Sequence, residues 1–300
     1  MATEFGVGLS RRFDLQLARH VEELGFHGIW VGGHVLWHTP TLDPLVQLAA
    51  YSSVTTRLAL GTSVLLLPLY HPVTLAKTVG TLDQVSNGRV ILGVGIGGEG
   101  RAEFSACGVD HGRRGVITNE SIDILRLLWT DGPTQYHGEQ FRLDDATMQP
   151  LPVQVGGPPI WVGGSSKAAL RRVARRADGW LGIFQNADRF RESAEIIRSE
   201  CETLGREPST VRLAHYLFCN VSQSEADALD VARRYLERSY ARPFSESTVR
   251  RYCAVGTTGQ CHDAIQEYID AGASYIVLRP MCDPADMPQQ IDALANVIGI

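Results

Sequence analysis

Apolar residues recur along the chain in two alternating patterns. Short apolar runs predict eight buried strands, which lie at residues 4–9, 27–31, 58–66, 90–94, 160–162, 179–183, 212–221 and 275–278. Longer segments with apolar residues at helical spacing separate these runs, as in residues 14–24, 71–85 and 187–204. Strands that alternate with helices in this way are typical of repeated βα units around a parallel sheet.

The number of these units favours a closed barrel. Eight strands in a chain of 300 residues match an α/β fold of the (β/α)8 TIM-barrel type, whose usual size is about 250 residues. A doubly wound sheet would usually have fewer strands or a second domain. Residues 132–159 contain five prolines and fit no βα unit, so we expect an inserted loop with a small hairpin there. No linker or internal repeat divides the chain, which predicts one domain over residues 1–300.

Composition agrees with an ordinary globular protein. With 44% hydrophobic residues, the chain can bury a large core without disulfides or metals. Its net charge of −5 comes from interspersed charges without a Lys/Arg tract, so we expect neither nucleic acid nor a membrane surface as a partner. The most apolar stretch, residues 64–69, is far shorter than the roughly 20 residues that span a bilayer.

The cysteines and the first residues bear on the compartment. Six cysteines are scattered without a C-x-x-C pair, and the first residues lack the layout of a signal peptide. We therefore expect reduced thiols in a cytoplasmic protein.

Candidate chemistry is sought at the carboxyl ends of the strands, because reactive groups of such barrels lie there. Segments 32–37, 61–64, 95–99 and 163–166 stand out at these positions. In the last of them, Gly163, Gly164, Ser165 and Ser166 lie between a strand and a helix. Their backbone N–H groups could bind a phosphate, or a serine could simply cap the helix.

Residues 93–98 formally match the G-x-G-x-x-G fingerprint of dinucleotide binding. The fingerprint needs an acidic residue at the end of a second strand about 20 positions on, whereas Glu120 falls in a predicted helix. Gly97 and Gly98 are better explained as room for a flat cofactor against the backbone, and a plain loop is the alternative.

His34 and Glu99 could handle protons, although neither stands out from the local pattern alone. His34 follows the second strand beside two glycines and near Trp37, so it could donate a proton or a hydrogen bond near neutral pH, or it could simply be a solvated loop histidine. Glu99 lies between two glycines and could be a proton donor or an exposed carboxylate. The chain contains no metal-ligand motif, nucleophile elbow or P-loop, so we expect no metal, and a serine or zinc hydrolase has no support.

Taken together and in this order, these segments resemble the luciferase-like family of flavin and deazaflavin oxidoreductases. The most telling stretch is RLALGTSV at residues 57–64. The resemblance continues nearly to the end of the chain, through residues 71–72, 76–77, 81–83, 86–89, 92–95, 159–165, 177–180 and 255–257.

The resemblance implies a fold and a cofactor site. The family fold is the same barrel with an extra loop region. The cofactor ring is expected in the barrel mouth against a bulge in the third strand, with a non-proline cis peptide at Ser63–Val64. The cofactor phosphate would be held by Gly163, Gly164 and Ser165.

The branch of the family that uses coenzyme F420 commonly carries Asp-His after the second strand. This chain has Gly33 and His34, so the histidine is kept and the aspartate is absent. By this resemblance His34 and Trp37 are the first catalytic candidates. Glu99 lies near the place where some deazaflavin members have an acidic proton donor. Family members often dimerise, and a homodimer is the expectation here.

Three functions compete at this point. The first is an F420-dependent reductase or dehydrogenase that acts on a small organic molecule, with His34 or Glu99 handling the proton. The second is a two-component monooxygenase that uses reduced FMN. The third is a barrel that has lost its cofactor and acts in protein interactions.

The substrate pocket is expected from the loops after the strands. Its expected lining is a mixture of apolar and polar side chains, namely Trp37, His38, Phe104, Arg279 and Met281. Arg279 would either meet an anionic group of the substrate or form a structural ion pair.

Overall fold

The computed structural model describes residues 2–9, 13–98 and 100–300. The strands in these ranges are β1 (Glu4–Gly8), β2 (Gly28–Gly33), β3 (Ala59–Leu66), β4 (Val90–Gly95), β5 (Thr134–His137), β6 (Arg142–Ala146), β7 (Ile160–Gly163), β8 (Gly179–Ile183), β9 (Arg212–Val221), β10 (Cys253–Gly256) and β11 (Tyr275–Pro280). The helices are α1 (Leu15–Glu23), α2 (Pro44–Ser52), α3 (Pro72–Ser86), α4 (Arg101–Ala106), α5 (Arg114–Leu128), α6 (Lys167–Arg176), α7 (Ala187–Thr203), α8 (Glu225–Tyr240), α9 (Glu246–Tyr252), α10 (Thr258–Asp270) and α11 (Met287–Ile298).

Eight parallel strands close into a barrel. Their order around the ring is β1, β2, β3, β4, β7, β8, β9 and β11, and β11 pairs with β1 to complete it. The helices flank the ring, so the predicted (β/α)8 TIM barrel is confirmed. None of the helices in the described ranges is long and apolar enough to cross a membrane.

A ninth parallel strand was missed by the sequence analysis. The short strand β10 pairs with the last residues of β9, beyond the part of β9 that pairs with β8. Its four residues are too few to show a period of their own.

The inserted hairpin predicted within residues 132–159 is present. Strands β5 and β6 pair antiparallel there, as a separate two-stranded sheet. Glu120 of α5 fastens the hairpin turn, because its carboxylate accepts the backbone N–H groups of Glu139, Gln140 and Phe141 at 2.7–3.1 Å. Glu120 is thus committed to the hairpin, which agrees with rejecting residues 93–98 as a dinucleotide fingerprint.

Polar side chains begin many of the helices. Seven of them accept a first-turn backbone N–H, which satisfies donors that a helix leaves unpaired at its start. They are Asp14, Asp43, Ser166, Asn186, Ser224, Ser245 and Thr257.

Three aromatic side chains fill the barrel beneath its mouth. The ring centroid of Trp30 lies 4.9 Å from that of Trp161 and 5.5 Å from that of Tyr275. The indole Nε1 of Trp30 donates to the Tyr275 hydroxyl at 3.0 Å. All three side chains are buried, so the barrel has a solid floor and any ligand must bind above it.

Candidate functional site

A cavity of about 360 Å³ opens at the carboxyl ends of the barrel strands. Its lining residues come from the ends of six barrel strands and from the loops that follow them. They are Gly32, Gly33, His34, Ser63, Val64, Leu66, Gly95, Ile96, Gly97, Gly98, Gly163, Gly164, Leu181, Ile183, Phe184, Tyr216 and Tyr240. We call this space the main cavity. Seven of the nine residues predicted to bind a cofactor line it.

Strand β3 is irregular where it reaches the main cavity. Its register with β4 shifts between Gly61 and Leu65, which is the bulge that the family resemblance implied. The Ser63–Val64 peptide bond is cis, as expected. The Ser63 hydroxyl oxygen is buried, and no described residue hydrogen-bonds to it. A buried hydroxyl at the cavity wall is therefore available to a ligand.

Two glycines in the lining of the main cavity leave room for the side chain of Val64. A Cβ atom added to Gly95 would lie 2.7 Å from Cγ2 of Val64, and one added to Gly163 would lie 3.3 Å from Cγ1. A Cβ atom on Gly98 would meet no atom within 4 Å, so the backbone there faces open space. A ligand can approach backbone of this kind closely.

His34 is held by a buried carboxylate that the sequence analysis missed. Its Nδ1 atom lies 2.9 Å from Oε1 of Glu103, which is fully buried in α4. The other Glu103 oxygen accepts the backbone N–H groups of Val35 and Leu36 at 3.1 and 3.3 Å. An imidazole that donates from Nδ1 to a carboxylate keeps its lone pair on Nε2. His34 therefore presents a proton acceptor, supported by a negative charge behind it.

Trp37 completes the setting of His34. The two rings stack with their centroids 4.0 Å apart, and Trp37 Nε1 donates to the backbone oxygen of Ser239 at 3.2 Å. The indole thus ties the loop after β2 to the end of α8. Glu99, the acidic candidate named from the sequence, lies outside the described residues.

Glu103 carried no strong sequence signal. It lies in a short helix between Arg101 and Phe104, and a glutamate in such a segment is expected to be exposed to solvent. Only the fold shows that its carboxylate turns inward to the loop after β2.

The loop between β7 and α6 contributes two glycines to the main cavity. Gly163 and Gly164 line it, and the Gly164 carbonyl is engaged by Nε1 of Trp180 at 2.8 Å. Ser166 caps α6, because its hydroxyl accepts the N–H of Ala169 at 3.2 Å. Ser165 is exposed just before this helix, and neither serine is part of the cavity lining. The capping interpretation therefore applies to Ser166.

A smaller cavity of about 140 Å³ adjoins the main one. The two share Gly32, His34, Ser63, Ile183, Tyr216 and Tyr240. The smaller cavity extends past Trp37 to Arg279, two of the residues expected to line the substrate pocket.

The other three residues expected around the substrate lie elsewhere. Phe104 and Met281 are buried and line neither cavity, because Phe104 packs behind Gly97 and Met281 lies in the core. His38 is exposed, and its ring is tilted against that of Trp37 with the centroids 4.5 Å apart. Among the described residues, no group of three or more His, Cys, Asp or Glu side chains could hold a metal ion.

Comparison with known proteins matches most of the chain to one family. The profile of the luciferase-like monooxygenase family matches residues 8–275. The F420-dependent glucose-6-phosphate dehydrogenase of Nakamurella multipartita is 34% identical over 182 residues, which cover 58% of this chain and 52% of that protein. The 4-hydroxyprotoasukamycin monooxygenase of Streptomyces nodosus subsp. asukaensis is 27% identical, with 89% of this chain and 79% of that one covered.

Solved structures share the barrel. An F420-dependent secondary alcohol dehydrogenase, in complex with an F420-acetone adduct, superposes with a TM-score of 0.88 at 20% identity, covering 100% of this chain and 99% of that one. At this identity the likeness establishes the fold alone. The first curated relatives are matched over only 58% of their own length.

Proposed function

The chain belongs to the luciferase-like monooxygenase family, whose members are oxidoreductases, and we propose that it is a coenzyme F420-dependent reductase or dehydrogenase of a small organic substrate. The observation that carries this proposal is the His34–Glu103 pair at the wall of the main cavity. Oxidation of an alcohol, or reduction of a carbonyl, moves a proton together with a hydride. A histidine backed by a buried carboxylate is suited to hold that proton.

The residues around the main cavity fit a deazaflavin or flavin ring. The glycine-rich lining lets a ring approach the backbone, and the unpaired Ser63 hydroxyl can hydrogen-bond to a polar ring edge. Gly163, Gly164, Ser165 and Ser166 would hold the phosphate by their backbone N–H groups at the start of α6. When bound, coenzyme F420 supplies hydride transfer at C5 of its ring.

The protein's own residues then orient the substrate and move one proton. Nε2 of His34 accepts the proton of a substrate hydroxyl during oxidation, or returns it to the oxygen during reduction. Glu103 stabilises the positive charge that His34 gains in the first case. Trp37 fixes the imidazole by stacking, while Phe184 and Tyr240 add aromatic surface to the lining of the main cavity.

A two-component monooxygenase that uses reduced FMN is the second candidate. It is favoured by the relative from Streptomyces nodosus subsp. asukaensis, which matches most of this chain and is a monooxygenase. FMN would use the same ring site and the same phosphate loop, so the geometry of the cavity suits both cofactors. The proton-handling pair at the wall is the reason to rank F420 first.

Cofactor titration tests the proposal. Protein fluorescence is followed while the protein is titrated with F420 and with FMN, in the wild type, Ser165→Asp and Ser199→Asp. We expect at least about tenfold tighter binding of F420 than of FMN, and about tenfold weaker binding in Ser165→Asp, because its charge faces the phosphate. Ser199 is exposed on α7, and its variant controls for the added charge.

The alternatives give different results. Preference for FMN, together with oxygen consumption during turnover, would move the assignment to a monooxygenase. Failure to bind either cofactor would contradict both enzyme assignments and favour a role in protein interactions.

A further inference from the structure

Arg279 is a buried cation in the barrel mouth. It lies in β11 with 2% of its surface exposed. One terminal nitrogen donates to the backbone oxygen of Gly8 and the other to the hydroxyl of Tyr235, both at 2.6 Å. No ion pair joins Arg279 to an acidic side chain of the described ranges, so it is not the structural ion-pair partner considered from the sequence.

A purely structural arginine in this chain has a different pattern of contacts. Arg89 donates five hydrogen bonds, to oxygens of Ser52, Thr55, Leu58 and Ser86, and its guanidinium is saturated by them. A guanidinium carries five N–H donors, and Arg279 uses two of them in the contacts described above. Burial of a charge without an opposite charge is costly, and an anion bound beside Arg279 would offset that cost.

The surroundings indicate which side of Arg279 receives that anion. On one side lies a cavity of about 340 Å³ that includes Asp14, Arg238 and Asp283. Arg238 pairs with Asp283 at 3.1 Å, and the remaining carboxylate, that of Asp14, would repel a second negative charge. On the other side lies the smaller cavity next to His34, whose described lining contains no Asp or Glu. The side that favours an anion is therefore the one that adjoins the candidate catalytic histidine.

The side chain of Arg279 is held in one position by its neighbours. A Cβ atom on Gly8 would lie 3.0 Å from Cδ of Arg279 and 2.9 Å from the hydroxyl of Tyr216, so the glycine leaves room for both side chains. The guanidinium also lies over the ring of Tyr235, 5.7 Å from its centroid. A fixed guanidinium loses little conformational freedom when it binds an oxyanion.

From these contacts we propose that Arg279 binds a carboxylate group of the substrate, so that the proposed oxidoreductase acts on an organic acid. One guanidinium matches one carboxylate in charge and in its two-pronged hydrogen-bonding geometry. The smaller cavity, at about 140 Å³, has room for a carboxylate and a short carbon chain. The carboxylate would anchor one end of the substrate while the carbon to be oxidised or reduced lies near His34. That the bound anion is a substrate rests on the proposed function, whereas the anion site itself does not.

Binding of a simple carboxylate and its neutral counterpart tests the proposal. Calorimetry compares benzoate with benzamide, in the wild type, Arg279→Met and Arg238→Met, each with and without F420. Arg238 is a matched control because it is half-exposed, pairs with Asp283 and lines only the cavities on the other side of Arg279. We expect the wild type and Arg238→Met to prefer benzoate by about tenfold or more, and Arg279→Met to bind both within about twofold.

Three results would contradict the carboxylate site. Equal binding of the two probes by the wild type, no binding of benzoate, or a preference that survives in Arg279→Met would overturn the proposal. If Arg279→Met does not fold, Arg279→Lys replaces it. Weaker benzoate binding at unchanged F420 affinity then supports the proposal, and unchanged benzoate binding overturns it.

The two proposals fail separately. A protein that binds F420 but shows no preference for benzoate rejects the carboxylate site alone. A protein that prefers benzoate through Arg279 but binds neither F420 nor FMN keeps the anion site and rejects the proposed function.

Discussion

The carboxylate of Glu103 lies 2.9 Å from Nδ1 of His34, although 69 positions separate the two residues in the sequence. The same carboxylate binds the backbone of the loop that carries His34, so α4 and the loop after β2 are joined at one point. The aspartate that F420-dependent members commonly place before this histidine is replaced here by Gly33. The structure supplies the missing acidic partner from another element.

Glu103 should determine which ring nitrogen of His34 carries the proton. Glutamine keeps the shape of the side chain and an acceptor for the loop, but its amide can also donate to Nδ1. We expect nitrogen-detected NMR of the wild type to show neutral His34 with its proton on Nδ1, and Glu103→Gln to shift the population toward Nε2. Turnover in this variant should fall about 10²-fold, with cofactor affinity unchanged.

Glu120→Gln is the matched control for this experiment. Glu120 is likewise a buried carboxylate that accepts several backbone N–H groups, but it lies at the hairpin, away from the two cavities. Its variant should lose stability and leave the His34 tautomer as it is. An unaltered tautomer in Glu103→Gln would show that the carboxylate only fastens the loop.

Gly98 offers a clean test of the ring site. Since a Cβ atom there meets no protein atom within 4 Å, Gly98→Ala should fold with an unchanged melting temperature. Because Gly98 lines the main cavity, the added methyl group should weaken F420 binding by about tenfold in a fluorescence titration. Gly259→Ala, in α10, has equally open surroundings and should leave the affinity unchanged. If Gly98→Ala and Gly259→Ala both bind F420 as tightly as the wild type, the ring binds elsewhere.

Ser165 and Ser166 should separate into a ligand-binding and a structural serine. Because the Ser166 hydroxyl caps α6, Ser166→Ala should lower the free energy of unfolding by about 1 kcal/mol in urea titrations. Ser165→Ala should leave stability unchanged within about 0.5 kcal/mol, because Ser165 is exposed. A larger loss of stability in Ser165→Ala than in Ser166→Ala would show that Ser165, and not Ser166, caps the helix.

The barrel was accessible from the sequence because its signals are local. Parallel strands that are covered on both faces need nearly continuous apolar residues, and all eight predicted runs became barrel strands. The bounds of β8 and β9 agree with the prediction to the residue. The four-residue β10 was missed because its main support is its pairing with β9, which no local period records.

The chemistry of the site depends on contacts that periodicity does not contain. Gly97, Gly98 and Gly163 were found because glycine after a strand is itself a signal. Glu103 acquires its role from His34, 69 residues away, and Arg279 acquires its position from Gly8, 271 residues away. Such pairs appear only when the ring of strands closes.

Cys107 should be the one reactive thiol of the folded protein. Of the six cysteines it alone is exposed, and burial raises the pKa of Cys253, Cys261 and Cys282 to about 12. A chromogenic disulfide reagent at pH 8 should titrate one thiol in the native protein and six after denaturation. Cys107→Ser should abolish the fast reaction. Any fast thiol that remains in that variant would show that the buried cysteines are more accessible than the structure indicates.

His215 should make the protein less stable in mild acid. Its ring is fully buried against Tyr268, neither nitrogen has a hydrogen-bond partner among the described residues, and burial lowers its pKa from 6.5 to about 3. Above pH 6.5 the imidazole is neutral in both states and adds no pH dependence. Between pH 6.5 and 3 the unfolded chain takes up a proton that the folded chain refuses, so stability falls as the pH falls.

The size of this effect can be isolated by substitution. His215→Phe keeps an aromatic ring for stacking and removes the titration. Between pH 7 and pH 5, the wild type should lose about 2 kcal/mol of unfolding free energy more than this variant does. Urea titrations at both pH values measure the difference, and His38→Phe, at an exposed histidine, should behave as the wild type. Equal losses in the wild type and His215→Phe would mean that the folded protein lets the imidazole take up its proton, through water or a local opening.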